Sequence, residues 1–325
     1  MGDFVERMRA LRIGDRYQLV QLLGEGSFGK VYLGRDAETG DEVAIKLEHC
    51  KIDPSLLDEE IRVYQSLQSK PGFPRVFWHG WQDSFQVMVF ELLGPNLEDL
   101  FCYCGETFSL KTTLMLADQL LHRFESLHAA NYLHRDVKPE NFLLGTGRHG
   151  NTVYMTDMGL AIYRPLVTAR TAPGPLHLPI SSERAPREPS LIGTCRYASV
   201  NAHLGVPQSR RDDLEALGYM LIYFVTGSLP WQGLKTVNRA EKYRRVLEMK
   251  QTVSVDELCQ GLPPAFVTYM TYARSLNEDD QPDYRYLRNL FRQLLRQQRF
   301  QHDHVYDWTI LEFYRQDRAE AQPQD

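Results

Sequence analysis

The chain has 325 residues and a formal net charge of −5, with 43% hydrophobic and 24% charged residues. That balance is ordinary for a soluble globular protein, and it argues against binding nucleic acid through bulk electrostatics. The length is generous for one domain and suits two lobes sharing a cleft. The five cysteines at 50, 102, 104, 195 and 259 form no CxxC pair and no His/Cys cluster with zinc spacing, so reduced thiols in a cytoplasmic or nuclear setting are expected. The opening residues, MGDFVERMRALRIGDRY, hold no apolar run that would act as a signal peptide. Nothing later approaches the ~18 uninterrupted apolar residues of a membrane span. Gly2 is followed at the sixth position by Glu6, where Ser or Thr favours myristoylation. The expectation is a monomer without a membrane span.

From Tyr17 the sequence alternates as short strands do: YQLVQLLGEGSFGKVYLGRDAETGDEVAIKLE, with Glu38-Thr39-Gly40-Asp41 as hairpin turn chemistry. Gly24, Gly26 and Gly29 give the pattern GxGxxGxV, ending at Val31. Glycines let a backbone close over phosphates, and Val31 can cap a flat base. Alone, the pattern is weak, and a flexible hairpin is the bland alternative. A dinucleotide-binding glycine motif opens a helix, whereas this one runs on into a strand, Lys30–Gly34. Lys46 follows in Ala44-Ile45-Lys46, where an ammonium among apolar residues is costly unless an anion pairs with it. The helical pattern Leu56–Ser66 offers two candidate partners, Glu59 and Glu60. Val87–Leu93 reads as a buried strand broken by Gly94-Pro95, and Leu97–Phe101 and Leu110–Ala129 read as helices.

The densest chemistry is HRDVKPEN at His134–Asn141, followed by Asp157-Met158-Gly159. Asp136 is spaced to accept the proton of a substrate hydroxyl, and Lys138 to neutralise phosphate charge. Asn141 and Asp157 can hold a metal ion. Phosphoryl transfer asks mainly for positioning and charge compensation, which this set provides. Asn141–Leu144 and Thr152–Thr156 are expected to form a small strand pair. Residues 162–196, rich in Pro, Ser, Thr and Arg, read as a largely mobile segment whose arginines could rim an anion site. A buried helix starts at Arg210, and its Asp213 is expected to bond the backbone of the loop at His134. Helical patterns with breaks at Gly261–Pro264 and near Pro282 fill Ala240–Phe300. The last ~10 residues are polar and expected to be disordered.

The HRD…N…DxG set is a close match to the catalytic and metal-binding motifs of eukaryotic protein kinases, with Met158 where phenylalanine is usual. Over nearly its whole length the chain resembles the casein kinase 1 family of serine/threonine kinases. The resemblance rests on ELLGPNLEDLF at 91–101, KTTLMLADQLL at 111–121, HRDVKPENFLLG at 134–145, GTCRYASVNAHLG at 193–205, SRRDDLEALGY at 209–219 and GSLPWQGLK at 227–235. It implies an α+β bilobal protein kinase fold: a 1–16 extension, a domain over 17–310, and a short tail at 311–325. The first lobe, about 17–93, would be a small antiparallel sheet, and the second, about 94–310, mainly helical.

The same resemblance implies transfer of the ATP γ-phosphate, with Mg2+, to Ser or Thr in acidic or already phosphorylated proteins. The nucleotide would lie among Leu23, Gly24, Gly26, Gly29, Val31, Ala44, Lys46, Phe90, Glu91, Leu93 and Leu143. Phe90 would be the gatekeeper, the backbone of Glu91 and Leu93 would face the adenine, and Leu143 would form its floor. Glu60 is preferred over Glu59 because Tyr64 then falls one turn later, as in the family. The pocket for a phosphate three residues before the target maps onto Arg196, Gln232, Gly233 and Lys242.

Where most kinases close the activation segment with Ala-Pro-Glu, Ala198-Ser199-Val200-Asn201 stands here, similar to the family's Ser-Ile-Asn. Departures from the family pattern are Met158, a longer activation segment, and Ile162 and Pro189 where basic residues are usual. A second anion site would then depend on Arg135, Arg184 and Arg187. The chain stops soon after the domain, from which constitutive activity is expected. Two alternatives were weighed. A catalytically dead scaffold would have lost Lys46, Asp136, Asn141 or Asp157, and all four are present. A small-molecule phosphotransferase does not call for the substrate-platform segments GTCRYASVN and PWQG.

Overall fold

The computed structural model describes residues 12–26, 29–52, 54–166 and 191–320, which divide into two compact units. The first comprises the described chain up to Gly94 together with Leu143–Tyr163; the second takes Pro95–Phe142, residues 164–166 and the described chain from residue 191 onward.

The first unit is built on a five-stranded antiparallel sheet in the order β1-β2-β3-β5-β4. Its strands are β1 (Tyr17–Gly26), β2 (Gly29–Asp36), β3 (Glu42–His49), β4 (Val76–Gln82) and β5 (Phe85–Glu91). The expected strand at 87–93 lies two residues earlier, because Glu91 is the last residue of β5 with a partner on β3, namely Val43. Register decides what faces what. Val31 lies opposite Lys46, Ala44 opposite Phe90, and Lys46 opposite Met88. Since side chains alternate along a strand, Val31, Ala44, Lys46, Met88 and Phe90 share one face. The other face carries Tyr32, Val43, Ile45, Leu47, Val87 and Val89, which with Ile13, Tyr17, Leu19 and Phe85 form the apolar core under Trp78.

Helix α1 (Leu56–Leu67) starts at Ser55, whose hydroxyl accepts the Asp58 N–H, while Glu48 accepts the N–H groups of Leu56 and Leu57. Three of the orphan donors of the first turn are thereby satisfied. Strands β7 (Phe142–Leu144) and β8 (Val153–Met155) pair as expected. The Leu144 carbonyl accepts the Gly94 N–H, and Met155 N–H donates to Gly72, which joins this hairpin to the first unit. Strands β6 (Tyr132–Leu133) and β9 (Ile162–Tyr163) are two residues each.

The second unit is helical: α2 (Leu97–Tyr103), α3 (Leu110–Ala129), α4 (Val200–Leu204), α5 (Arg210–Thr226), α6 (Arg239–Thr252), α7 (Val255–Leu258), α8 (Pro264–Ser275), α9 (Tyr284–Gln297) and α10 (Asp307–Glu320). Helix α5 packs against α3 and α8, and α9 against α3 and α8. The expected breaks are present. Gly261 takes φ +82° before Pro263-Pro264 starts α8, and the Asp283 side chain caps α9. No helix among the described residues is long and apolar enough to cross a membrane.

The tail departs from expectation. Helix α10 runs to Glu320, so residues 316–320 are helical, while 321–325 lie outside the described residues. Its first turn is tied down: the Asp307 carboxylate accepts both the N–H and the hydroxyl of Ser109, and Trp308 stacks on Tyr306 and packs edge-on to Phe108. A nucleated first turn lets polar sequence continue as helix.

His203, on α4, lies beside the Cys195 carbonyl and 3.4 Å from Lys250 Nζ. Burial and the Lys250 charge pull its pKa from 6.5 down to about 4. The unfolded chain therefore binds a proton below pH 6.5 that the folded chain binds only near pH 4. Stability falls as pH drops through that window and levels off below it. Urea midpoints at pH 7.0 and 4.5 will show a smaller loss in His203→Gln than in wild type.

Candidate active site

In the first unit, the Lys46 ammonium lies 2.5 Å from Glu60 Oε2 and 3.3 Å from Asp157 Oδ1. Burial alone would lower its pKa, but the two carboxylates outweigh burial and hold it above the usual lysine range. Glu59 instead pairs with Arg62 on the exposed side of α1. Tyr64 completes the arrangement: its hydroxyl donates to Glu60 Oε1 at 3.2 Å and accepts the Asp157 N–H at 3.1 Å. That bond holds Asp157 in a left-handed conformation, φ +60°, which a non-glycine residue adopts only when its surroundings enforce it. Met158 is fully buried in the following turn, against α1. The carboxylate of Asp157 remains one-third exposed.

The three loop glycines differ in their reasons. A Cβ on Gly29, at φ +154°, would collide with the Leu47 carbonyl, so the strand pair itself demands glycine. At Gly24 and Gly26 a Cβ would meet nothing within 4 Å among the described residues. Their side of the hairpin is open, as close approach by a ligand requires. Leu23 is exposed, Val31 and Phe90 are half-buried, and Ala44 is buried on the shared sheet face. At the end of β5, the Glu91 N–H donates to Arg75 O, so of its backbone groups only the carbonyl could face a base. Leu93 belongs to no strand, and Leu143 is the half-exposed residue between buried Phe142 and Leu144.

In the second unit, Asp136 is 5% exposed. Its carboxylate accepts the Thr194 hydroxyl at 2.7 Å and lies 2.9 Å from Lys138 Nζ. The Asn141 amide N–H groups donate to the Asp136 carbonyl at 2.8 Å and to Asp136 Oδ2 at 3.3 Å. The loop carrying these groups hangs from Asp213, whose two oxygens accept the N–H groups of His134 and Arg135 at 2.8 and 2.9 Å, as expected from the sequence. Burial would raise the Asp213 carboxyl, but the His128 hydrogen bond and the backbone donors hold it below the usual range. Gly193, at φ +95°, passes so close to the loop that a Cβ would overlap the Arg135 carbonyl oxygen.

Arg196 sits over the rings of Tyr223 and Tyr197, 5.3 and 5.6 Å from their centroids. The Trp231 indole N–H fixes the Arg196 carbonyl at 2.7 Å. Glu98 Oε1 lies 3.8 Å from the guanidinium. Gln232 accepts the Leu229 N–H with its side-chain oxygen, Gly233 is exposed at φ +70°, and Lys242 is exposed on α6. Burial raises the neighbouring Cys195 thiol, while Lys250, Lys242 and Arg239 pull the other way, which places all three cations near this segment. Arg184, Arg187 and Pro189, named for a second anion site, lie outside the described residues.

Sequence reasoning missed three participants, Thr194, Glu98 and Arg239, and the nearby Lys250, which bonds the backbone on either side of Arg196. Thr194 is adjacent to Gly193 in a segment already singled out, and Glu98 stands in ELLGPNLEDLF, so both were in view without a contact to reveal them. Buried Lys250 carried no sequence signal.

The protein kinase domain family model matches residues 17–301. The chain belongs to the protein kinase family, and its antiparallel sheet and helical unit are those of the bilobal kinase fold. Membership brings ATP and a divalent metal ion as general requirements. Asn141 in the second unit carries an amide oxygen and Asp157 in the first a carboxylate, each an oxygen donor of the kind a hard cation takes.

Gly193→Ala should move the Arg135 carbonyl and with it Asp136. Turnover should fall by about a hundred-fold, the cost of an ångström-scale misplacement. A steady-state assay beside a circular dichroism spectrum checks this, and wild-type turnover in the variant would overturn the packing argument.

Proposed function

We propose that the chain is a serine/threonine kinase of the casein kinase 1 type, acting with Mg2+ on acidic or already phosphorylated proteins. The observation that carries the catalytic part is the buried Asp136 carboxylate with a hydroxyl donor, Thr194, at 2.7 Å and Lys138 at 2.9 Å. A substrate hydroxyl presented in that place hands its proton to Asp136, while Lys138 offsets charge on the transferred group. Lys46, locked by Glu60, orients phosphate oxygens on the other reactant. A divalent ion would supply neutralisation of phosphate charge, and Asn141 and Asp157, an oxygen donor from each unit, are the residues proposed as its ligands.

Support for the specificity reading comes from Arg196. Its carbonyl is pinned by Trp231 and its guanidinium lies on two aromatic faces, so a planar fork of donors is already ordered for a phosphate or carboxylate. Lys242 and Arg239 act electrostatically on the adjoining Cys195 and so add positive charge near this segment.

A matched pair of peptides, one with phosphoserine three residues before the acceptor serine and one with alanine there, tests this against Asp136→Asn as the blank. The primed peptide should be preferred in kcat/KM by roughly ten-fold or more, the worth of a charged hydrogen bond. Arg196→Ala should erase that preference and spare the unprimed peptide. Equal rates on both peptides would remove the specificity reading, and no rate above the blank would remove catalysis.

Glu98 modulates the same fork. It competes with the incoming anion for Arg196, and its own carboxyl is raised by burial and by Glu140. Glu98→Gln should therefore raise kcat/KM on the primed peptide several-fold, on the order of 1 kcal/mol, and leave the unprimed peptide unchanged. A fall on the primed peptide would mean that Glu98 orients Arg196 instead of competing for it.

A further inference from the structure

Away from the residues described so far as reacting or recognising, the second unit contains a cavity of about 330 Å3 where α4, α5, α6 and α8 meet, lined by Asn201, Arg211, Glu215, Lys250, Gln251 and Arg274. Three of those six side chains are cationic. Both guanidiniums are held in place: Arg211 donates to the Leu276 carbonyl, and Arg274 to the Tyr219 hydroxyl and the Lys250 carbonyl.

Each nevertheless keeps a buried Nε–H without a hydrogen-bond partner among the described residues. The nearest carboxylates fall just out of reach, Asp212 at 3.8 Å from Arg211 Nε and Glu215 at 3.6 Å from Arg274 Nε. Those carboxylates are committed elsewhere. Asp212 accepts from Ser199, Asn201 and the Ser209 N–H, and Glu215 accepts from the Tyr219 hydroxyl and the Val200 N–H. Fixed donors beside engaged acceptors leave the hydrogen bonding of the cavity short of acceptors, and a buried charged donor left unpaired is unfavourable.

We infer that this cavity is a binding site for a phosphate group, held between Arg211 and Arg274, with Lys250 contributing charge and no free donor. The chemistry is that of a guanidinium fork meeting tetrahedral oxygens. Arg211 and Arg274 balance Asp212 and Glu215 in formal charge, so Lys250, which donates to the Cys195 and Ala198 carbonyls, is the cation in excess when it is protonated. Burial pulls the Lys250 ammonium down to about 7, so its charge is incomplete at neutral pH until an anion arrives. The volume exceeds that of a bare phosphate ion and leaves room for the group that bears it. The site is separate from Arg196 and Lys242, which do not line the cavity.

The test is isothermal titration of the full chain carrying Arg196→Ala and Lys242→Ala, so that the proposed substrate site does not contribute. Its outcome is independent of whether that site governs specificity. Inorganic phosphate should bind saturably in this background. Adding Arg211→Gln should weaken binding by about ten-fold, the loss of one charge-assisted hydrogen bond. Gln251→Glu, an exposed position on α6 where folding is not at risk, should weaken it similarly by placing a like charge at the rim. Tighter binding of capped phosphoserine than of phosphate would assign the site to a phosphorylated side chain, and equal binding would assign it to the free anion. Absence of saturable binding, or binding that Gln251→Glu leaves unchanged, overturns the inference.

Discussion

The second unit depends on one carboxylate. Asp213 is 2% exposed and answers two backbone N–H groups that no regular element serves, because Arg135 turns through a left-handed conformation at φ +67°. An unpaired N–H in that place would carry a full desolvation penalty. His128 resolves the charge problem. Burial keeps its imidazole neutral, so one ring nitrogen donates to Asp213 at 2.8 Å while the other accepts the Tyr284 hydroxyl. The end of α3, the first turn of α5 and the start of α9 thus meet at one anion. The loop bearing Asp136 takes its shape from where those helices are, and a change in helix packing reaches Asp136 through Asp213.

The first unit solves the converse problem, a buried cation. Replacing a buried ion pair with apolar residues is often neutral in stability, whereas removing one partner costs about 3–5 kcal/mol. Its value here is therefore orientation more than stability. Lys46 is placed by the sheet register, Glu60 by α1, and Asp157 by the turn that follows β8. The Tyr64 hydroxyl bonds both to Glu60 and to the Asp157 backbone, so the angle of α1 and the left-handed turn at Asp157 cannot change independently. Met158, fully buried in that turn, packs against α1.

How much of this was legible in the sequence follows from how local each signal is. Strand alternation, Gly94-Pro95, Ser55 and Pro263-Pro264 speak through nearest neighbours, and the corresponding elements fall within a few residues of expectation. The catalytic loop was legible because its chemistry is contiguous, and Asp213 because a charge at the start of an apolar helix demands an explanation. The choice between Glu59 and Glu60 could not be made from helical spacing, which places both near the same face; Tyr64 supplied the phase. The tail was misread because its stability comes from Ser109 and Phe108, some two hundred residues away. Lys250 and Glu98 are invisible for the same reason, since nothing in their own neighbourhood distinguishes them from solvated charges.

The cations of the second unit follow a common rule with different outcomes. Arg196 and Lys250 both lie over aromatic rings, Tyr223 and Tyr197 for the first, Tyr219 and Trp231 for the second. Ring faces hold a cation without neutralising it, which preserves charge for use elsewhere. Lys250 is enclosed and also donates to the Cys195 and Ala198 carbonyls on either side of Arg196. Arg196 is more open, and Glu98 stands 3.8 Å from its guanidinium. A carboxylate at that distance is too far to satisfy the fork by hydrogen bonds, so Arg196 stays only partly answered where a tight bidentate partner would have closed it.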